Sequence, residues 1–253
     1  MTNALAIGAT GMHAQQLQVD AIANNLANVN TPAYKKTRVV FTDLVGRALL
    51  DGAGAQAATT LGVTATSAGK LFDPGELRKT DAPLDLAIQG DGFLEIAMPD
   101  GSRAYTRGGT LKVNADGQLA TQAGLPLKPG IAIPDNAEAI VISATGRVQV
   151  RVAGQSALAE AGQLELVRFG NAQELLPQGG NVYRATEASG EPQATRPGEE
   201  GAGTLAQGYL EGSNVKLVEE MVQLMVAQRA YEASVKVVQA SDEMLGLVNG
   251  LRR

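Results

Sequence analysis

The feature that most constrains this chain is a pair of helical apolar stripes, one at each end, bracketing a long stretch of strand-like sequence. Over residues 4–29, Leu5, Met12, Val19, Ile22, Leu26 and Val29 recur at spacings of seven, three and four, which puts them on one side of an amphipathic helix. Gly8 and Gln15 fall between them on the same seam, so the stripe is incomplete alone and invites a partner helix. Asn28, Val29, Asn30, Thr31 and Pro32 stop the helix, because proline lacks an N–H donor and drives the preceding residue out of the α region. At the other end, Leu217, Met221, Leu224, Tyr231, Val235, Val238 and Leu245 follow steps of four and three, with Gln228 and Asp242 on the same stripe. Ser213 and Asn214 suit a cap for this second helix, and Glu219 and Glu220 suit the positive end of its dipole. The most apolar stretch, residues 217–227, is broken by Glu219, Glu220 and Gln223, so no membrane span is expected.

Between the stripes the period changes to two. Leu94, Ile96 and Met98 alternate with Glu95 and Ala97 before a Pro99-Asp100-Gly101 turn and a second run at Ala104 to Thr106. Residues 140–143, a Thr145-Gly146 turn, and Val148, Val150 and Val152 alternating with Arg147, Gln149 and Arg151 predict a hairpin with one solvated face. Leu164 to Phe169 adds another strand. Residues 52–68 have little to bury, and residues 188–203, rich in Gly, Pro and Glu, read as a flexible connector. The expected fold is α+β: long N- and C-terminal helices paired as a coiled coil, with a central, mostly antiparallel β-domain. The expected division is an N-terminal helix (1–34), an extended connector (35–80), a β-rich domain (81–209) and a C-terminal helix (210–253).

Composition then removes most chemistries. In 253 residues, 21 Lys and Arg face 26 Asp and Glu, a net charge of -5 that offers no footprint for nucleic acid. There is no Cys and a single His, so thiolate metal sites, cysteine nucleophiles and His-based triads cannot be built. His13 has no nucleophile context and reads as a helix-surface or interface residue. Gly52, Gly54, Gly90 and Gly92 lie in no phosphate-loop pattern, and Asp81, Asp85 and Asp91 lack calcium-loop spacing and read as solvated loop carboxylates. Lys35, Lys36 and Arg38 form a short basic cluster, accompanied by no aromatic platform, that reads as a solvated linker. No catalytic, cofactor or metal site is expected, and hence no enzyme. Residues 1–10 also lack the basic and continuous apolar regions of a cleavable secretory signal.

The ends carry a resemblance. The run from Ala23 to Pro32, followed by Tyr34 and Lys35, resembles the N-terminal signature of the bacterial flagellar rod and hook proteins, through Asn24, Asn25, Leu26, Asn28, Thr31 and Pro32. The run from Gln207 to Val215, with Ser213 and Asn214, and the run from Ala227 to Glu232, with Arg229 and Tyr231, resemble the same family's closing signature. Residues 86–93 and 104–117 are also similar. Length and the 228–232 run look most like the distal-rod members; the hook protein is longer, and a proximal rod subunit is the alternative.

The resemblance implies a structural subunit that stacks helically into a hollow shaft, transmits motor torque to the hook and encloses the export channel, with the paired helices inside and the β-domain outside. The implied partners are copies of itself, proximal rod proteins, the hook protein, the P and L ring proteins and the flagellar type III export apparatus. The implied place is the basal body, spanning the periplasm, reached without a cleaved signal. Phe41 and Val45 match the family's export-gate pair. The two apolar stripes become the expected assembly interface. Two readings from other classes compete. A cell-wall glycan hydrolase needs two carboxylates about 5 to 9.5 Å apart, which no pair here is marked to supply. A glycan-binding β-module needs aromatic platforms, and aromatics are only 4% of the chain.

Overall fold

The computed structural model describes residues 2–47, 58–154 and 157–250, which fall into two compact units. The helical unit takes residues 1–27, 37–68 and 216–253; the β-unit takes residues 28–36 and 69–215. These cuts differ from the expected ones at 34, 80 and 209.

In the helical unit, α1 (Thr2–Ala27) packs along α2 (Leu217–Gly250). They run antiparallel: Gly8 lies beside Val238, Gly11 beside Ser234, and Asn25 reaches Glu220. The α2 residues turned inward are Glu220, Leu224, Ala227, Ser234, Val238, Ser241 and Leu245, buried or half-buried. The sequence stripe shares Leu224, Val238 and Leu245 with this seam, and Val235 at its margin is half-buried. Leu217, Met221 and Tyr231, however, are 50%, 51% and 41% exposed. The composition of the seam has a steric cause. A Cβ on Gly8 would sit 2.7 Å from Val238 Cγ2, so the backbones approach where α1 offers Gly8, Gly11 and Ala14, and small residues of α2 fill the gap. Ser234 and Ser241 enter the seam because their hydroxyls donate to Ala230 O and Val237 O one turn back. Of the N-terminal stripe, Ile22 is buried, Leu5, Met12, Val19 and Leu26 are half-buried, and Val29 lies beyond the end of α1.

Residues 35–80, expected as a connector, contain β1 (Thr37–Arg47) and β2 (Ala58–Lys70), which pair in a two-stranded sheet. Thr37, Val39 and Val40 in β1 and Thr59, Thr60, Val63 and Thr64 in β2 favour extended backbone. The sheet is fastened to α1 where the Val63 N–H donates to Thr10 Oγ1 at 3.3 Å. Gly62 makes that approach feasible, having a φ of +119° and no room for a Cβ beside Thr10.

The β-unit is mostly antiparallel. One sheet orders β14 (Leu176–Gly179), β15 (Val182–Arg184), β6 (Arg103–Thr106), β5 (Leu94–Ala97) and β9 (Leu127–Lys128). Another orders β17 (Thr204–Gln207), β4 (Asp85–Gln89), β7 (Gly108–Val113) and β8 (Leu119–Thr121). The predicted hairpin forms from β10 (Ala137–Ile142) and β11 (Arg147–Val152), extended by β12 (Leu158–Gln163). Inward residues including Leu86, Ile96, Leu119, Val148 and Leu164 make one core. Phe93, Tyr105, Val167, Leu175 and Tyr183 make a second, with Phe72 and Phe169 packed edge-on against its rings.

Two expectations fail here. Residues 188–203 are built into the unit: β16 (Gln193–Thr195) pairs with β13 (Leu166–Arg168), Ser189 is buried and bonded to Thr186, and Ala202 is buried. Glycine-rich composition reflected tight turns, Gly190, Gly198 and Gly201 all having positive φ. Asp85 is a buried β4 residue, its backbone N–H bonded to Ala82 O, and not a solvated loop carboxylate.

Candidate functional site

The two terminal signatures converge inside the β-unit. β18 (Tyr209–Glu211) pairs antiparallel with β3 (Leu77–Lys79), setting Glu211 opposite Leu77 and turning its carboxylate inward. Lys35, from the N-terminal signature, donates from Nζ to Glu211 Oε1 at 2.7 Å and to Asp73 O at 2.7 Å. Arg107, just after β6, donates from Nε to Glu211 Oε2 at 3.0 Å and from its two terminal nitrogens to Gly92 O and Gly90 O. The Gly75 N–H adds a third partner at Glu211 Oε1, 3.0 Å away. All three charged side chains are no more than 2% exposed.

One carboxylate therefore serves two cations, and the cluster carries a buried net positive charge. Burial pulls the Lys35 ammonium below its ordinary value, more strongly than Glu211 holds it up. Burial alone pushes Glu211 up, but Arg107, Lys35 and the hydrogen bonds to both outweigh it and hold the carboxyl below its ordinary value. The Arg107 guanidinium also lies over the Phe93 ring, 5.8 Å from its centroid. Lys35 was expected in a solvated linker. The burial of its stem and the bonds from its ammonium to Asp73 O and Glu211 Oε1 are properties of the fold, invisible in a three-residue basic cluster. Arg107 was not singled out by the sequence; the one cue was its position within the 104–117 run that resembles the family.

Around the triad the signature residues interlock. Asn214 Oδ1 accepts from the Lys36 N–H at 2.8 Å, and Asn214 Nδ2 donates to Leu71 O at 2.8 Å. Ser213 Oγ accepts from the Val215 N–H, and the Pro32 carbonyl accepts from Asn181 Nδ2. Thr31 Oγ1 donates to Asn28 Oδ1 at 3.2 Å, tightening the turn after α1. Ala33 is buried with φ of +56°, and its N–H donates to Glu211 O at 2.7 Å.

In the helical unit, buried Asn25 donates from Nδ2 to Thr37 O and to Glu220 Oε2, and accepts from the Thr37 N–H. Asn24 and Leu26 flank it, exposed and half-buried. Arg229 and Tyr231 are exposed on α2, and Phe41 is 41% exposed on β1. The side chain of Val45, the other half of the expected export-gate pair, lies outside the described residues. A second set of apolar residues lies on the outer side of α2 at its two ends, Val218, Val222, Met225 and Val226 near the start and Met244 and Leu247 near the finish, 49 to 73% exposed, with exposed Arg229 and Lys236 between them. Val218, Val222, Met225 and Leu247 lie more than a third of a turn from the middle of the seam, and Val226 and Met244 about 100° from it.

Three family models match in chain order: "Flagella basal body rod protein" over residues 5–35, "Flagellar hook protein FlgE/F/G D1 domain" over 87–150, and "Flagellar basal body rod FlgEFG protein C-terminal" over 206–251. The flagellar basal-body rod protein FlgG of Borreliella burgdorferi is 41% identical over 264 residues, covering all of both chains. That of Buchnera aphidicola subsp. Acyrthosiphon pisum is 42% identical over 254 residues, 97% of this chain and 98% of the relative. The chain belongs to the flagellar basal-body rod proteins. The rod protein FlgF of Salmonella typhimurium is 34% identical over 259 residues, 96% of each chain. As a rod protein of the FlgG type, this chain is a structural component of the basal body, serves motility, and assembles with other rod and hook components. The buried triad draws one residue from each family segment: Lys35 ends the first, Arg107 lies in the second and Glu211 in the third.

Proposed function

We propose that this chain is the distal-rod subunit, polymerising helically into a hollow shaft that carries torque to the hook and surrounds the export channel. The observation that carries the reading is this second apolar set on the outer side of α2. A helix apolar on two sides is built to be enclosed on both, and α1 covers only one. Burying each exposed Val, Met or Leu contributes about 1.5–3 kcal/mol, so this face supplies real adhesion once ordering costs are met. Copies meeting head to tail through unlike surfaces build an open filament rather than a closed ring.

In this reading α1 and α2 form a coiled-coil inner core from the chain ends, and the β-unit faces outward toward the P and L rings. The interface residues are Leu5, Met12, Val19, Ile22, Leu26 and Val29 with Leu217, Met221, Leu224, Tyr231, Val235, Val238 and Leu245, divided between the α1–α2 seam and contacts with neighbouring copies. The subunit spans the periplasm within the shaft and reaches it through the flagellar type III apparatus, with Phe41 and Val45 as the export-gate pair. Distal placement is favoured over proximal because FlgG relatives reach 41–42% identity and the FlgF relative 34%. Electron cryotomography of basal bodies in cells lacking the chain tests this. A long rod stub without a hook supports distal placement, a very short stub indicates proximal placement, and intact flagella refute the reading.

A further inference from the structure

The chain passes between its two units after residues 27, 36, 68 and 215. On the β-unit side, the segments that begin or end at these passages are tied to one another. The Leu71 N–H donates to Lys36 O at 3.0 Å, the Lys36 N–H donates to Asn214 Oδ1, and Asn214 Nδ2 returns to Leu71 O and Asp73 O. The Asn214 N–H donates to Tyr34 O, and the Ala33 N–H to Glu211 O. The Asn214 side chain thus bridges all three segments, 33–36, 71–73 and 211–214. The Lys35–Glu211–Arg107 triad draws on the same segments, and Gly75 is pressed so close to Gly212 O that no Cβ fits.

Burying three charges is a poor way to gain stability, since apolar groups of the same volume hold a core as well or better. What charges supply is selectivity. Glu211 is satisfied in one register only, with donors from segments 176 and 104 residues away. We propose that the triad and Asn214 form a lock that fastens the passages into one block of the β-unit, and that it closes only when the N-terminal, central and C-terminal segments are all seated. Opening it frees those segments while leaving the β-core intact. A further consequence, resting on the rod reading, is that a loaded subunit is pulled on tied segments and not on a single hinge. The lock itself stands apart from that reading.

Amide hydrogen exchange on the full chain tests it. In Glu211→Gln, the amides of Ala33, Leu71, Gly75 and Asn214 should exchange at least about 100-fold faster and approach unprotected rates, while the core amides of Leu119 and Val167, though less protected than in the parent, stay clearly protected. Core amides as unprotected as the first set overturn the proposal, because Glu211 would then hold the whole fold; no acceleration of the first set overturns it as well. Asn214→Ala, which keeps the triad, guards against outright unfolding and should accelerate the same first set by about tenfold. In the triple variant Lys35→Met, Arg107→Met, Glu211→Leu, core protection should return to the parent level while the lock amides stay fast. Parental protection of the lock amides there would show that packing alone suffices and would overturn the proposal.

Discussion

The Lys35 ammonium donates to the Glu211 carboxylate at 2.7 Å across 176 residues of sequence, with both side chains no more than 1% exposed. A pair this deep is costly to half-remove. Lys35→Met should destabilise the β-unit by about 3–5 kcal/mol, against a much smaller loss when the whole triad is made apolar. Urea denaturation of the two variants side by side measures the difference.

The same cluster fixes a pH dependence. Glu211 titrates below its ordinary value near 4.5 when folded, so the unfolded chain binds more protons there. Stability from this group is complete above that value and is lost as pH falls through the folded one. Lys35 titrates below 10.5 when folded, so again the unfolded chain holds more protons, and stability rises as pH climbs from the folded value to 10.5. Denaturation midpoints across pH should lose the acid slope in Glu211→Gln and the alkaline rise in Lys35→Met.

Two glycines of α1 should respond in opposite senses. Gly8→Val forces methyl groups into Val238 and should cost about 1–3 kcal/mol. At Gly11 a Cβ finds ordinary contact with Ser234 Oγ at 3.5 Å, so Gly11→Ala should stabilise by up to about 1 kcal/mol through helix propensity. Thermal melts followed by helical circular dichroism separate the two.

Asn25→Ala strips partners from the Thr37 N–H, the Thr37 carbonyl and the Glu220 carboxylate at once. A loss of about 1–3 kcal/mol is expected in the helical unit, with the β-unit unaffected. Exchange at the Thr37 amide, accelerated while the β-core amides keep their rates, reports it.

The terminal helices and the β10–β11 hairpin were legible because their patterns are local: a period near 3.6 marks α1 and α2, and Val148, Val150 and Val152 alternate visibly. The inner face of α2 was not. The apolar count favoured Met221 and Leu217, whereas the seam admits Ala227, Ser234 and Ser241 because Gly8 and Gly11 bring the backbones close, a fact that resides in the partner helix. Lys35 and Arg107 were hidden for a related reason. Charge in sequence implies solvent, and only contact with Glu211, far along the chain, makes their burial tolerable. The Gly-rich 188–203 stretch misled because turn glycines and linker glycines look alike until their strands pair.

The central claim is that the outer face of α2 joins copies of this chain, and Val226 tests it most directly. It is 62% exposed, so Val226→Asp leaves the fold within about 0.5 kcal/mol of the parent, unlike Leu224→Asp in the seam. Electron cryotomography of basal bodies in cells whose only copy carries Val226→Asp should find rod stubs without hooks, while the purified variant keeps its helical amide protection. Full-length rods bearing hooks in those cells would contradict the account.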